Sequence, residues 1–219
     1  MKKTTINKHC SCFTVEGYDP FFFENGSEVI QLENISAPGI VLLCGRSGTG
    51  KTHLLNLIAA DYNAKKPEMN VKITLPSELA KEIYDSVSAG EYLKYIEEKS
   101  RIDILLIDDF DASSAWYIRK EITRIINAVQ QQGGLCVISS SRYFDSRISD
   151  NFKSPVRIHL KNGQHVRFLC GCEKARQGGY NIPRDAIAQM SKKARSVTEL
   201  FGSINRYALE HRIDSNLLG

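Results

Sequence analysis

Gly45-Arg46-Ser47-Gly48-Thr49-Gly50-Lys51-Thr52 fits the pattern G-x-x-x-x-G-K-[ST], a spacing suited to one task, the holding of a phosphate chain. Glycines at 45, 48 and 50 let the backbone N–H groups of the whole run, Arg46, Ser47 and Thr49 included, curl around a phosphate. Lys51 is placed to reach the β- and γ-phosphates, and Thr52 offers a hydroxyl to Mg²⁺. An apolar run precedes the loop and a helical pattern follows it, so the positive end of a helix also faces the phosphates. The expected ligand is ATP or ADP with Mg²⁺.

Fifty-seven residues after Lys51, the apolar run Ile102–Ile107 ends in Asp108-Asp109. A carboxylate at such a strand end holds Mg²⁺ through water, the role expected of Asp108, and Asp109 is expected to orient or deprotonate an attacking water. Acidic strand ends also occur as plain solvent-facing turns. Pairing with the phosphate loop favours the catalytic reading. The run Leu135–Ser140 ends in a polar cluster, Ser139-Ser140-Ser141-Arg142, which in a parallel sheet emerges beside the ligand. One of these serines is expected to sense the γ-phosphate.

The elements that must carry these residues alternate. Strands are expected at Gly39–Cys44, Val71–Leu75, Ile102–Ile107, Leu135–Ser140 and Val156–Leu160, and helices at Lys51–Lys65, Ser77–Lys99 with a break near Gly90, and Ala115–Gln131. That order predicts an α/β fold with a parallel sheet flanked by helices. Continuous apolar strands such as Ile104-Leu105-Leu106-Ile107 fit a sheet covered on both faces. Beyond Gly178-Gly179 the pattern is helical, with Pro183 in a first turn and Ile187, Met190 and Ala194 at helical spacing. The expected division is therefore 1–179 for the nucleotide-binding part and 180–219 for a helical lid.

A chain of 219 residues with 42% hydrophobic and 25% charged residues excludes collagen-like, coiled-coil and disordered classes. The longest apolar stretches, Ile40–Cys44 and Ile104–Ile107, are far short of the roughly 18 residues of a membrane helix, so no membrane partner and a cytoplasmic setting are expected. The net charge of +4 is uneven: residues 1–141 carry 15 basic against 18 acidic side chains, and 142–219 carry 14 against 7. The basic end suits phosphates of a nucleic acid or nucleotide, or is a solvated helical face. Cys44 and Cys136 lie in apolar runs, where a reduced thiol packs as a small hydrophobe.

Gly45–Asn56, the strand end Leu105–Asp109, the segment Ile138–Tyr143 and the tail Ser196–Arg206 together resemble the AAA+ domain of the bacterial replication initiator DnaA family. The likeness runs from about Phe13 to His211 and extends to shorter relatives of that family without a DNA-reading domain. It implies a five-stranded AAA+ sheet with a small C-terminal helical lid, and an adenine contact at Phe13–Gly17. It also marks departures. Thr198 stands where the family has a lid arginine against the γ-phosphate, Pro155 where it has the arginine finger, and Ser141 where it has an acidic residue. Thr198 and Ser141 are thus the nucleotide-facing positions to test, and hydrolysis is expected to be weak or absent unless Arg157, Arg195 or Arg206 substitutes. The chain ends at Gly219 with no helix-turn-helix domain, so sequence-specific duplex binding is not expected.

The resemblance implies a role in replication initiation or its regulation, in partnership with another replication protein (initiator, helicase or clamp) or with further copies of the chain. The competing reading is an active ATPase that loads a helicase or assists transposition and binds single-stranded DNA. Lys81 and Tyr84, with Trp116-Tyr117-Ile118-Arg119-Lys120, combine aromatic and basic groups suited to single strands, against an ordinary helix surface with Trp116 packed in the core or at a subunit contact. Cys10-x-Cys12 with His9, and Cys170-x-Cys172, invite a metal reading, although structural zinc more often uses two-residue spacing. Phe21-Phe22-Phe23 reads as core or as a docking surface.

Overall fold

Short β-branched runs and longer amphipathic runs alternate along the chain, and each takes up the element its period requires. The computed structural model describes residues 35, 37–110, 116–141, 152, 154–161 and 163–216, the side chains of 166 and 212–216 excepted. The order is β1 (Gly39–Cys44), α1 (Lys51–Lys65), β2 (Val71–Thr74), α2 (Pro76–Ser88), α3 (Tyr92–Ser100), β3 (Ile104–Ile107), α4 (Trp116–Gln131), β4 (Leu135–Ser140), β5 (Val156–His159), α5 (Gln164–Gln177), α6 (Arg184–Lys193) and α7 (Val197–Asn216). Pro76 opens α2, where its missing N–H costs nothing, and Gly90 separates α2 from α3 with a φ of +71°.

The five strands form one sheet in the order β2-β3-β4-β1-β5, every neighbouring pair parallel. This is the expected five-stranded α/β architecture. β3 and β4 are buried along their whole length, as a doubly covered sheet demands. Alternate strand residues Ile40, Leu42, Leu105, Ile107, Cys136 and Ile138 share a core with Leu79 and Ile83 of α2 and with Ile122, Ile125, Ile126 and Val129 of α4. α1 packs on β2 and β4, and buries Leu54, Leu55 and Ile58. Cys44 and Cys136 are buried thiols, and burial pushes the Cys136 thiol up to about 12. Glu82 of α2 accepts from Lys72 of β2 (2.8 Å) and Lys99 of α3 (2.5 Å), tying the three elements together. Burial opposes the Glu82 charge, yet those two hydrogen bonds hold it below the usual carboxylate range.

The chain divides into two compact units. The first contains the sheet with α1 to α4, and the second contains residues 160–219 together with 46–50. The sequence pattern placed a boundary between 179 and 180, whereas the units divide at His159/Leu160, because α5 shares its core with α6 and α7. That core joins Ala175 to Ile187, Ala194, Leu200 and Ile204, with Phe168 and Cys172 packed against it. Helix α5 has no counterpart in the sequence pattern. Gly171 lies in its middle, where a Cβ would stand 2.8 Å from Ile187 Cγ2 and 3.1 Å from Leu200 Cδ2. Pro183 directly precedes α6. Gly171→Val is expected to destabilise this unit by about 1–3 kcal/mol through overpacking, read as a lowered urea midpoint, and an unchanged midpoint would contradict the close approach of the helices.

Candidate functional site

The phosphate loop starts by extending the sheet: Gly45 N–H donates to the Ser140 carbonyl (3.2 Å) just beyond the β1–β4 ladder. It then turns on itself, the Thr49 N–H and hydroxyl both donating to the Arg46 carbonyl at 3.2 and 2.9 Å. Gly48 (φ +75°) and Gly50 (φ +91°) occupy the left-handed region that other residues resist. Lys51 is the first residue of α1, and its buried side chain arcs back so that Nζ donates to the Gly45 carbonyl at 2.7 Å. The ammonium therefore spans the mouth of the loop, where a phosphate chain would lie.

Thr52 Oγ1 donates to Asp108 Oδ2 at 2.6 Å, joining the start of α1 to the end of β3. The other carboxylate oxygen, Oδ1, accepts from Ser139 Oγ (2.5 Å) and from the Asp109 N–H (3.1 Å). Asp109 itself is exposed and left-handed (φ +53°), a conformation aspartate tolerates better than most residues. The Asp108 N–H donates to the Thr74 carbonyl (3.0 Å), and the Thr74 hydroxyl donates to Glu78 (2.9 Å). Glu78 is held below the usual carboxylate range by the Leu75 N–H and the Thr74 hydroxyl. Among the described residues no group of three or more His, Cys, Asp and Glu could hold a metal. The converging hydroxyl of Thr52 and carboxylate of Asp108 are instead hard oxygens, and they fit a Mg²⁺ that takes its remaining ligands from phosphates and water.

Of the residues singled out in the sequence, Lys51, Thr52, Asp108 and Asp109 converge at the sheet's carboxyl end. Ser139 and Ser140 are fully buried and Ser141 is half-buried. The loop tip, residues 46–50, belongs to the second unit, where a Cβ on Gly48 would overlap Ser196 Cβ. Ser196 caps α7: its Oγ accepts from the Glu199 N–H (3.1 Å), while the Glu199 carboxylate accepts from the Arg195 N–H (2.7 Å). Thr198 is exposed in the first turn of α7.

Trp116 is 70% exposed and meets Tyr117 edge to face, so it is not a core residue, while Ile118 packs against the core. Tyr84 and Lys81 are exposed on α2. Cys170 and Cys172 sit on α5. His9, Cys10, Cys12, Phe13–Gly17, Phe21–Phe23, Arg142, Tyr143 and Lys153 lie outside the described residues. Sequence reading missed the bridging role of Ser139. Its signal was a serine paired in the sheet's centre rather than beyond it.

Residues 19–167 match the family model described as the bacterial DnaA ATPase domain. The chromosomal replication initiator protein DnaA of Thermomicrobium roseum is 26% identical over 177 residues, which are 76% of this chain and 38% of that protein. The chain thus spans about a third of the length of the curated relatives it matches. Domain III of Thermotoga maritima DnaA superposes with a TM-score of 0.74 at 20% identity, covering 93% of this chain and 88% of that one. A replication initiator DnaA bound to AMPPCP and single-stranded DNA gives 0.72 at 19% identity, covering 92% and 67%.

Gly48→Ala is expected to cost about 1–2 kcal/mol from its left-handed φ alone, and more from the overlap with Ser196. In a Ser196→Gly background the steric part should vanish. Equal losses in both backgrounds, measured by chemical denaturation, would show that the two residues do not touch.

Proposed function

The chain belongs to the bacterial DnaA ATPase domain family, and from that premise we propose that it binds ATP or ADP with Mg²⁺ at Gly45–Thr52 and serves replication initiation or its regulation, hydrolysing ATP weakly or not at all. The observation that carries this reading is the convergence of Lys51, Thr52 and Asp108: an ammonium across the loop mouth, and a hydroxyl and a carboxylate 2.6 Å apart at the start of the following helix. The AMPPCP bound to a relative of the same fold supports a nucleotide as the ligand.

Loop amides between Gly45 and Gly50 would hold the β-phosphate, with the α1 N-terminus adding its positive dipole end. Lys51 would exchange the Gly45 carbonyl for β- and γ-oxygens. Thr52 and Asp108 would hold Mg²⁺, Asp108 partly through water, and the bound ion would supply neutralisation of charge on the phosphates. Asp109, exposed at the turn beyond Asp108, would orient a water. Ser141 and Thr198 would be the remaining nucleotide-facing positions. Both are short and neutral, and neither can stabilise charge developing on the γ-phosphate as an arginine does. Weak turnover follows from that pairing of an intact cradle with neutral sensors. The nucleotide state would then govern association with an initiator, helicase or clamp, or with further copies of the chain, and a contact with single-stranded DNA is the further partner that the DNA-bound relative supports.

The test is nucleotide content and ATP turnover of the purified chain at low and high concentration. Bound nucleotide with negligible turnover at every concentration is the expected result, and turnover rising with concentration would favour the competing ATPase reading, with an arginine donated between copies. Lys51→Ala should weaken nucleotide binding about 10- to 100-fold, the worth of a hydrogen bond to a charged group. Asp109→Ala should leave affinity nearly intact in calorimetry, and a loss matching that of Lys51→Ala would refute its place outside the phosphate cradle.

A further inference from the structure

β4 lies between β3, which delivers the acid pair, and β1, which delivers the phosphate loop. The register pairs Ile107 with Ile138 and Cys44 with Ser140, so Ser139 is the β4 residue level with Asp108. Ser139 is fully buried, and its hydroxyl has two partners of opposite kind. It donates to Asp108 Oδ1 at 2.5 Å and accepts from the Asp109 N–H at 2.9 Å. The same Asp109 N–H also leans on Asp108 Oδ1 at 3.1 Å, closing a three-membered arrangement of carboxylate, hydroxyl and amide.

Two consequences follow from this geometry. With Oδ1 held inward on Ser139, the carboxylate presents Oδ2 to Thr52, the orientation in which the two oxygens converge. With the Asp109 amide drawn toward Ser139 Oγ, the backbone turns left-handed at Asp109 and its side chain leaves the strand direction toward solvent. A single buried hydroxyl thus bears on both acids.

We propose that Ser139 is the positioning residue of the acid pair, its hydroxyl setting which Asp108 oxygen faces Thr52 and turning Asp109 outward. Its effect on metal rests on the nucleotide reading given above, whereas its effect on Asp109 does not. Both hydrogen bonds of the Ser139 hydroxyl go to the acid pair. It acts through Asp108 and Asp109.

Two measurements on the full chain test the proposal, using Ser139→Ala, Ser139→Thr and, should the alanine variant fail to fold, Ser139→Cys, which keeps the size with a poor donor. The first is hydrogen exchange at the Asp109 amide in nucleotide-free protein, followed by NMR. Ser139→Ala should speed that exchange at least tenfold while Leu105–Ile107 stay protected, and Ser139→Thr should restore it. Unchanged exchange at Asp109 overturns the proposal. The second is ADP affinity by calorimetry with Mg²⁺ and with EDTA. Ser139→Ala should lose about tenfold of the Mg²⁺-dependent gain, keep its EDTA affinity, and be rescued by Ser139→Thr. Equal losses with and without Mg²⁺ would reduce Ser139 to a general structural role and overturn the proposal. A wild-type chain that binds no ADP would overturn the nucleotide reading instead, and the amide exchange would then decide for Ser139 alone.

Discussion

Neighbouring strands run about 4.8 Å apart, so β1 and β3, with β4 between them, deliver their ends about 10 Å from one another. Every feature of the candidate site depends on bridging that gap. Thr52 and Asp108 reach across it to 2.6 Å, and they can do so because the end of β4 carries two serines rather than bulky side chains. A leucine or phenylalanine at 139 would fill the space that the Asp108 carboxylate occupies. The apolar body of β4, Leu135 to Ile138, is what fixes this strand in the sheet's centre, so hydrophobic burial along most of the strand sets the polar geometry at its end. Parallel pairing then brings all these ends to the same side of the sheet, which is why the candidate site lies there.

How much of this was legible in the sequence varied with the physics behind each feature. The loop Gly45–Thr52 and the acid pair were readable because their chemistry demands particular residue types at particular spacings. The strands β1, β3 and β4 were readable because continuous burial leaves an apolar run. Helix α5 was not, since Gly171 and a mixed polar composition suppress the helical pattern. Its glycine exists for a reason that only tertiary structure discloses, the close approach of Ile187 and Leu200. For the same cause the pattern offers no sign that the compact unit holding α6 and α7 already includes α5. Ser139 was legible only as one of a polar cluster: a serine at a strand end reads as exposed, and nothing local indicates that its hydroxyl turns inward to an aspartate on a neighbouring strand.

The loop tip illustrates a different limit. Residues 46–50 are covalently flanked by Gly45 and Lys51, yet they cluster with 160–219, where Gly48 meets Ser196. No periodicity links those positions. Sequence does carry the ingredients, a glycine forced into the left-handed region and a serine that caps α7 with Glu199 three residues on, but not their meeting.

Binding and hydrolysis draw on different parts of such a site, and the proposed function rests on that separation. Holding a nucleotide uses groups that the ground state already engages: loop amides, the Lys51 ammonium, and the Thr52 and Asp108 oxygens. In the structure the Lys51 ammonium donates to the Gly45 carbonyl and the Thr52 hydroxyl to the Asp108 carboxylate. Turnover requires in addition a positive group aimed where charge builds up as the γ-phosphoryl departs, and under the proposed function Thr198 and Pro155 stand where the family would place such arginines. A neutral hydroxyl on an exposed first turn of α7 cannot deliver that charge, and a proline side chain can neither donate nor carry one. Under the proposed function, the site is therefore built to register which nucleotide is present. Faster chemistry would need a substitute arginine, Arg157, Arg195 or Arg206 or one that a second molecule supplies.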